Sequence, residues 1–375
     1  MKSWKIFNVY FLKIFCLVCL LPYFLPLIVD IIVPTRVFTF RVWETISVKQ
    51  RNFILRGPFY PNTKIFKREY GELTPYTACA VAKHVTWETD RHGYRKRKSD
   101  NTDYQIVIVG DSNTVGSGLT QEDTIAEVLE HKSGLNIYPL APANINDFLA
   151  YDRFTIHPPK LVILQVIERD LLKVSRPRST AISEARKKLN AQFKIPFQSL
   201  YEPIAIFHDR LQKQASFNYF LSTLERRFQP EQASLCKAEK VGAPIFWQGL
   251  RANQIYSEEE TDSIVLVLES TRHALNERGI EFIFLPVPNK ESIYYDRLPV
   301  RKKPMLLDRL AEKLSDRDVD FVDTQTAFAR AYQEDPDLLL YPLDDTHWNA
   351  QGVEIAAELI WQKIQAHDSQ VKAAD

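Results

Sequence analysis

Five short apolar runs recur along this chain with amphipathic segments between them, and that alternation restricts the fold more than any other feature. Gln105–Val109 (QIVIV), Asn136–Leu140 (NIYPL), Leu161–Ile167 (LVILQVI), Glu281–Val287 (EFIFLPV) and Asp320–Thr324 (DFVDT) are rich in β-branched and aromatic residues on both faces. Strands of a parallel sheet covered on both sides have this character. Helical periodicity predicts intervening helices over Gln121–Lys132, Glu258–Arg278 and Met305–Ser315. The second opens on the capping-box pattern Ser257-Glu-Glu-Glu and closes at Gly279, the usual start and stop signals of a helix. Strand and helix taking turns predicts a three-layer α/β/α domain with a five-stranded parallel sheet and right-handed crossovers.

Three stretches stand outside the alternation. From Ile14 to Val33 nearly every residue is apolar, and a membrane-crossing helix needs about 20 such residues. No small-x-small cleavage site follows, so residues 1–35 are expected to be an uncleaved transmembrane anchor, with Asp30 near its end reaching the headgroups. Lys2, Lys5 and Lys13 precede the run while Arg36, Arg41, Lys49 and Arg51 follow it, so charge does not orient it. Residues 36–103 read as a preamble in which Arg91, Arg95, Lys96, Arg97 and Lys98 form a basic cluster, expected to be a solvated loop. Residues 176–253 interrupt the main domain, 104–375, between its third and fourth strands. Helical-looking pieces at Glu184–Gln192 and Phe217–Arg227, with many aromatics, suit either a lid beside the ligand edge of the sheet or a helical appendage with its own small core.

Composition narrows the partners. The 48 basic and 47 acidic residues leave a net charge of +1, which gives no electrostatic case for nucleic acid. Of the four cysteines, Cys79 and Cys236 alone lie in the main body. Their spacing fits no zinc motif, so a disulfide is one option and neither metal nor cofactor is expected.

The chemistry concentrates at two places. Val107–Gly118 reads VIVGDSNTVGSG, a strand running into Gly110-Asp111-Ser112. This puts a hydroxyl at the carboxyl end of a strand, where ligands sit in open α/β sheets, and Gly116 and Gly118 would permit close backbone approach by a substrate. Far away, Leu343–Gly352 reads LDDTHWNAQG and leads into the helix VEIAAELIWQKI. A serine nucleophile needs a base to take its proton, and the base needs a carboxylate to orient it. His347, one of 8 histidines, has carboxylates just ahead of it and a helix start just behind.

These two blocks resemble the SGNH hydrolase superfamily over roughly Asp103–Lys363, and Asp90–Tyr94 (DRHGY) is similar to the stretch that precedes the serine block in many members. The resemblance implies a flavodoxin-like sheet, a Ser112–His347–Asp mechanism and ester or acyl-transfer chemistry. The common spacing Asp-x-x-His selects Asp344. The variant Asp-Thr-His-Trp, similar to the alginate O-acetyltransferase group of periplasmic members, selects Asp345, which is therefore the first expectation, with Asp344 as the alternative. Pro286–Pro299 (PVPNKESIYYDRLP) is similar to a Pro-x-Lys…Tyr segment of that group, in which the Asp-His block precedes the serine block rather than following it as here.

The family's oxyanion donors, a Gly and an Asn, are absent from the corresponding stretches Pro139–Asn146 and Gln165–Leu171. The Ser112 N–H remains, with backbone near Ala143 or the side chains of Asn144 and Arg169 as replacements. Arg169 has a structural alternative, an ion pair with Glu168 or Asp170. By the same resemblance the chain is expected to be a single-pass inner-membrane protein with its body outside the cytoplasm. It would move O-acetyl groups on polysaccharide, with a membrane-embedded acyl donor as an expected partner. The competing expectation is a scaffold that keeps the fold without turnover.

Overall fold

The computed structural model describes residues 2–33, 39, 41–73, 79–98, 103–178, 198–228, 244, 255–298 and 304–374. Two sheets organise them. Strands β1 (Lys64–Glu69) and β2 (Lys83–Glu88) form an antiparallel pair, and β3 (Ile106–Val109), β4 (Ile137–Leu140), β5 (Leu161–Ile167) and β6 (Glu281–Val287) form a parallel sheet in the order β4-β3-β5-β6.

Strand alternation divides the apolar runs between two cores. Val107, Val109, Val162, Leu164, Phe282 and Phe284 face one way, towards the helices Glu258–Asn276 and Leu306–Ser315. Ile106, Ile108, Ile163, Ile283 and Leu285 face the other, towards Ile125–Ser133 and Ala350–Ala374. The three-layer α/β arrangement therefore follows from runs that are apolar at odd and even positions alike.

The sheet has four strands, not five. Asp320–Thr324 makes only a single parallel bridge, Phe284 with Phe321, through Phe284 N–H to Asp320 O at 2.8 Å and Val322 N–H to Phe284 O at 2.9 Å. The chain then leaves the sheet because Asp323 caps the helix Thr324–Glu334, accepting from the Thr326 N–H at 3.0 Å. A cap two residues after the bridge stops the ladder from extending.

The basic cluster is solvated only in part: Arg91, Arg97 and Lys98 are exposed, but Arg95 and Lys96 are not. Arg95 is 2% exposed. Its guanidinium donates to the carbonyls of Thr86, Val115, Gly116 and Leu119 and lies over the Trp87 ring, 3.9 Å from its centroid. Lys96 is also buried, paired with Glu130. Five donors in a rigid fork let arginine gather several carbonyls at once, so this one ties β2 to the turn that follows Ser112.

Within the insertion, the helices Gln198–Lys213 and Ala215–Phe228 pack on the amino-terminal segment. Lys213 Nζ donates to the carbonyls of Glu44, Thr45 and Ser47, and Asp209 accepts from Lys49 N–H, Gln50 N–H and the Tyr60 hydroxyl. The described helices thus form an appendage; Glu184–Gln192 lies outside the described residues. Cys79 is disulfide-bonded, and Cys236 lies outside the described residues.

The expected anchor, and with it the single-pass inner-membrane placement, is corrected: among the described residues no helix is long and apolar enough to cross a membrane. The helix Lys2–Ile32 exists, but its Asp30 does not reach outward to headgroups. Asp30 is buried and accepts the Ser216 N–H at 2.8 Å, so this end of the helix is joined to the appendage.

Replacing Arg95 removes its hydrogen bonds to four carbonyls and its stacking on Trp87. Charge-assisted bonds of this kind are worth more than neutral ones, so Arg95→Met is expected to lower unfolding free energy by about 3 kcal/mol, measured by urea denaturation.

Candidate active site

Strand β3 has β4 on one side and β5 on the other, so the chain reverses direction of winding at β3, and the crevice beyond its carboxyl end is where doubly wound sheets bind ligands. Gly110, Asp111 and Ser112 emerge there. A Cβ on Gly110 would lie 2.2 Å from Thr114 Oγ1 and 2.6 Å from Gln165 Oε1, so only glycine admits this turn. Asp111 caps the short helix Ser112–Val115 by accepting from Asn113 N–H at 2.7 Å, while its other oxygen accepts from Ile167 N–H at 3.0 Å. Gln165 closes the turn from β5: its carbonyl oxygen accepts from Asp111 N–H, Thr114 N–H and the Thr114 hydroxyl, and its amide donates to Asp111. Ser112 is left half-buried at the first position of its helix, where the backbone N–H has no intrahelical acceptor.

The second block arrives on the loop between Leu340 and Ala350. Lys290, fully buried, holds that loop by donating from Nζ to the carbonyls of Pro342 at 2.7 Å, Leu343 at 2.8 Å and Asp345 at 3.3 Å. Burial pushes its ammonium down to about 8. Trp348 Nε1 donates to Asn113 O at 3.3 Å, joining the loop to the serine turn. The result is a continuous chain of hydrogen bonds: Ser112 Oγ lies 2.7 Å from His347 Nε2, and His347 Nδ1 lies 2.7 Å from Asp345 Oδ1. An ionised carboxylate only accepts, so Nδ1 carries the proton and Nε2 is free to accept from the serine hydroxyl.

Asp344 and Asp345 separate cleanly. Asp344 turns away and accepts from Gly71 N–H at 3.0 Å and Val81 N–H at 2.8 Å, pinning a loop of the amino-terminal segment. Asp345, fully buried, also meets Lys83 Nζ at 3.0 Å and Arg41 Nη2 at 3.2 Å. Burial alone would raise its carboxyl, but Lys83, Arg41 and His347 together hold it well below the usual range. Neither cation carried any signal in the sequence, because each sits in the preamble, far along the chain from both blocks. Gln165 did carry one: a lone amide in an otherwise apolar strand run is buried and must find partners.

The candidate oxyanion groups fall in different places. The Ala143 N–H donates to Gly110 O at 2.9 Å and is already engaged. Asn144 is exposed, its side chain spent on capping the helix Ile145–Leu149 by accepting from Asn146 and Asp147 N–H. Arg169 pairs with neither neighbour: its Nη2 donates to Thr346 Oγ1 at 3.3 Å, next to His347, while Glu168 accepts from Asn289 N–H and Ser292 Oγ and Asp170 binds Lys173. Gly116 and Gly118 make room for protein rather than substrate, since a Cβ would lie 2.9 Å from Arg95 Nη1 at the first and 2.8 Å from Lys83 Nζ at the second. Beside the serine turn a cavity of about 150 Å³ opens between Gly110, Ala143, Ile145, Leu164, Val166 and Val174.

Glu72, Asp345 and His347 bring three potential metal-ligand atoms together. They fit a cation poorly. His347 Nδ1 already donates to Asp345, and two cationic side chains occupy the carboxylate's other side, so a metal would have to displace a hydrogen bond and face two like charges.

Residues 250–375 match the family model "SGNH hydrolase-like domain, acetyltransferase AlgX". That stretch is similar to the SGNH hydrolase-like family. The matched residues include His347 and both aspartates, whereas Ser112 lies ahead of them. No curated protein matches. Two solved structures are similar: a putative acylhydrolase from Bacteroides fragilis, at 13% identity and TM-score 0.35, covering 72% of this chain and 90% of that one; and a GDSL-like lipase from Bacteroides thetaiotaomicron, at 14% identity and TM-score 0.30, covering 70% and 88%.

Glu168, at the end of β5 beside Arg169, generates a pH prediction. Burial pushes its carboxyl up to about 7. A carboxylate raised on folding contributes stability that is full below its unfolded value near 4.5 and lost as pH rises through about 7. Glu168→Gln, which keeps an acceptor for Asn289 and Ser292, is expected to leave stability unchanged at pH 4.5 and to raise it by roughly 2 kcal/mol at pH 8, read from denaturation midpoints across that range.

Proposed function

We propose that the protein is a serine acyl-transfer enzyme that moves a short acyl group, most simply acetyl, to or from a hydroxyl of a polysaccharide. The hydrogen-bond chain Ser112–His347–Asp345 carries this reading. Ser112 Oγ attacks the acyl carbonyl as His347 Nε2 accepts its proton, and Asp345 holds the ring and stabilises the imidazolium. His347 then returns the proton to the departing alcohol, leaving an acyl-serine. Water or a sugar hydroxyl, deprotonated by the same nitrogen, attacks that ester and releases Ser112. The tetrahedral oxyanion would meet the Ser112 N–H, which the serine turn retains, and the Arg169 guanidinium in place of the Gly and Asn donors usual in the family. The cavity beside Gly110, lined by Ile145, Leu164, Val166 and Val174 together with Asp111, Asp170 and Lys173, is of a size that favours a short acyl group.

Labelling by a fluorophosphonate probe and hydrolysis of a chromogenic acetyl ester test this together. Ser112→Ala and His347→Ala are expected to abolish both signals, and Asp345→Asn to reduce ester turnover by about 10⁴-fold, because an amide in that position favours the wrong tautomer. Asp344→Asn is expected to cost stability far more than rate. Folded wild-type protein that takes up no probe and turns over no ester would reject the reading in favour of a non-catalytic scaffold.

A further inference from the structure

Asp345 is surrounded by more positive charge than holding a histidine requires. The His347 backbone N–H already donates to its Oδ1 at 3.2 Å. Two cations from distant parts of the chain then converge on the carboxylate, Lys83 Nζ at 3.0 Å and Arg41 Nη2 at 3.2 Å from Oδ2. Both are placed by built contacts. Arg41, 3% exposed, sends Nη1 to Ser117 Oγ at 2.7 Å, on the turn that follows the serine. Lys83 fits because residue 118 is glycine: with φ of +79°, any Cβ there would lie 2.8 Å from Lys83 Nζ and 3.3 Å from Asp345 Oδ2. The turn that presents Ser112 therefore also reserves the space in which Lys83 meets the triad carboxylate.

We propose that Lys83 and Arg41 are positioning residues that clamp Asp345 against His347 and share its negative charge, so that the imidazolium formed during acyl transfer is held less tightly and surrenders its proton readily. This rests on the acyl-transfer reading of the site and deepens it. A buried aspartate facing imidazolium alone stabilises it strongly in a low dielectric. Divided between three cationic partners, the same carboxylate orients the ring with a weaker hold on the proton, and the site works towards lower pH.

Among the described residues, these further charged groups lie around the pair. Glu72 lies 3.8 Å from His347 Nδ1 and 3.7 Å from Arg41. Lys290 touches the Asp345 carbonyl. Asp344 points to Gly71 and Val81, Arg169 reaches Thr346, and Asp111 is turned into Gln165 and Ile167. Lys83 is the cation to vary, because its side chain retains 16% exposure and its replacement leaves Arg41 to hold the carboxylate.

The test compares full-length wild type, Lys83→Met and Lys83→Arg in two measurements. One is the pH profile of kcat/KM on a chromogenic acetyl ester. The other is the NMR titration of the His347 ring in a Ser112→Ala background, which needs no turnover. Lys83→Met is expected to move the acid limb of the profile, and the titration midpoint, upward by about one pH unit, the size of one charge removed at several ångströms in a medium of protein-like dielectric. Lys83→Arg is expected to restore both. A folded Lys83→Met protein whose limb and midpoint stay at the wild-type values overturns the proposal, as does an arginine variant that behaves like methionine. If the midpoint moves while the wild type turns over no ester, the clamp stands and the acyl-transfer reading is what fails.

Discussion

The interaction on which the rest depends is the burial of one carboxylate. Asp345 has no access to solvent, and an ionised group in that position is tolerated only when paired and fully hydrogen-bonded. Meeting that demand recruits Arg41 from the amino-terminal segment, Lys83 from the antiparallel pair and His347 from the loop before the last helix. The preamble is therefore bound to the parallel sheet through charge at its centre as well as through apolar contact. The loop that carries Asp345 is held from behind by Lys290 on three carbonyls and from the side by Asp344 on two backbone amides. Adjacent acidic residues thus act in opposite directions, one inward on the histidine and one outward on the fold.

How much of this could be read from the sequence depends on whether the responsible signal is local. The α/β alternation was legible because strands buried on both faces advertise themselves by continuous apolarity, and β3 to β6 keep the bounds of their runs to within a residue or so. Asp320–Thr324 looked similar but ends on a helix cap, and a cap decides strand length from outside the apolar pattern. The serine and histidine blocks were legible because each sits where a regular element begins or ends. The choice between Asp344 and Asp345 was legible only through the Asp-Thr-His-Trp resemblance, which favoured Asp345; spacing alone permits both, and the direction of each side chain separates them.

What stayed hidden is long-range pairing of polar groups. Arg95 read as one member of a hydrophilic cluster, yet its planar fork gathers four carbonyls and an indole ring. Arg41 and Lys83 are ordinary basic residues until the fold brings a buried acid to them. The amino-terminal helix shows a related difficulty. Its apolarity says nothing of Asp30, which is joined to Ser216 in the appendage through a contact that no window of sequence reveals.

Ser112 and His347 are separated by 235 residues, and Arg41 and Asp345 by 304. Contacts between such distant residues form late, because loop closure must precede any reward from them. During synthesis, which proceeds from the amino terminus, the serine and both cations emerge long before the base. The nascent chain therefore carries Ser112 without His347, and Arg41 and Lys83 without Asp345. The hydrogen-bond chain would form in one step, when the loop carrying His347 closes over the sheet. A fragment cut to residues 250–375 would hold His347 and Asp345 without Ser112, Arg41 or Lys83, so the boundary drawn by family similarity is not the boundary of this hydrogen-bonded unit.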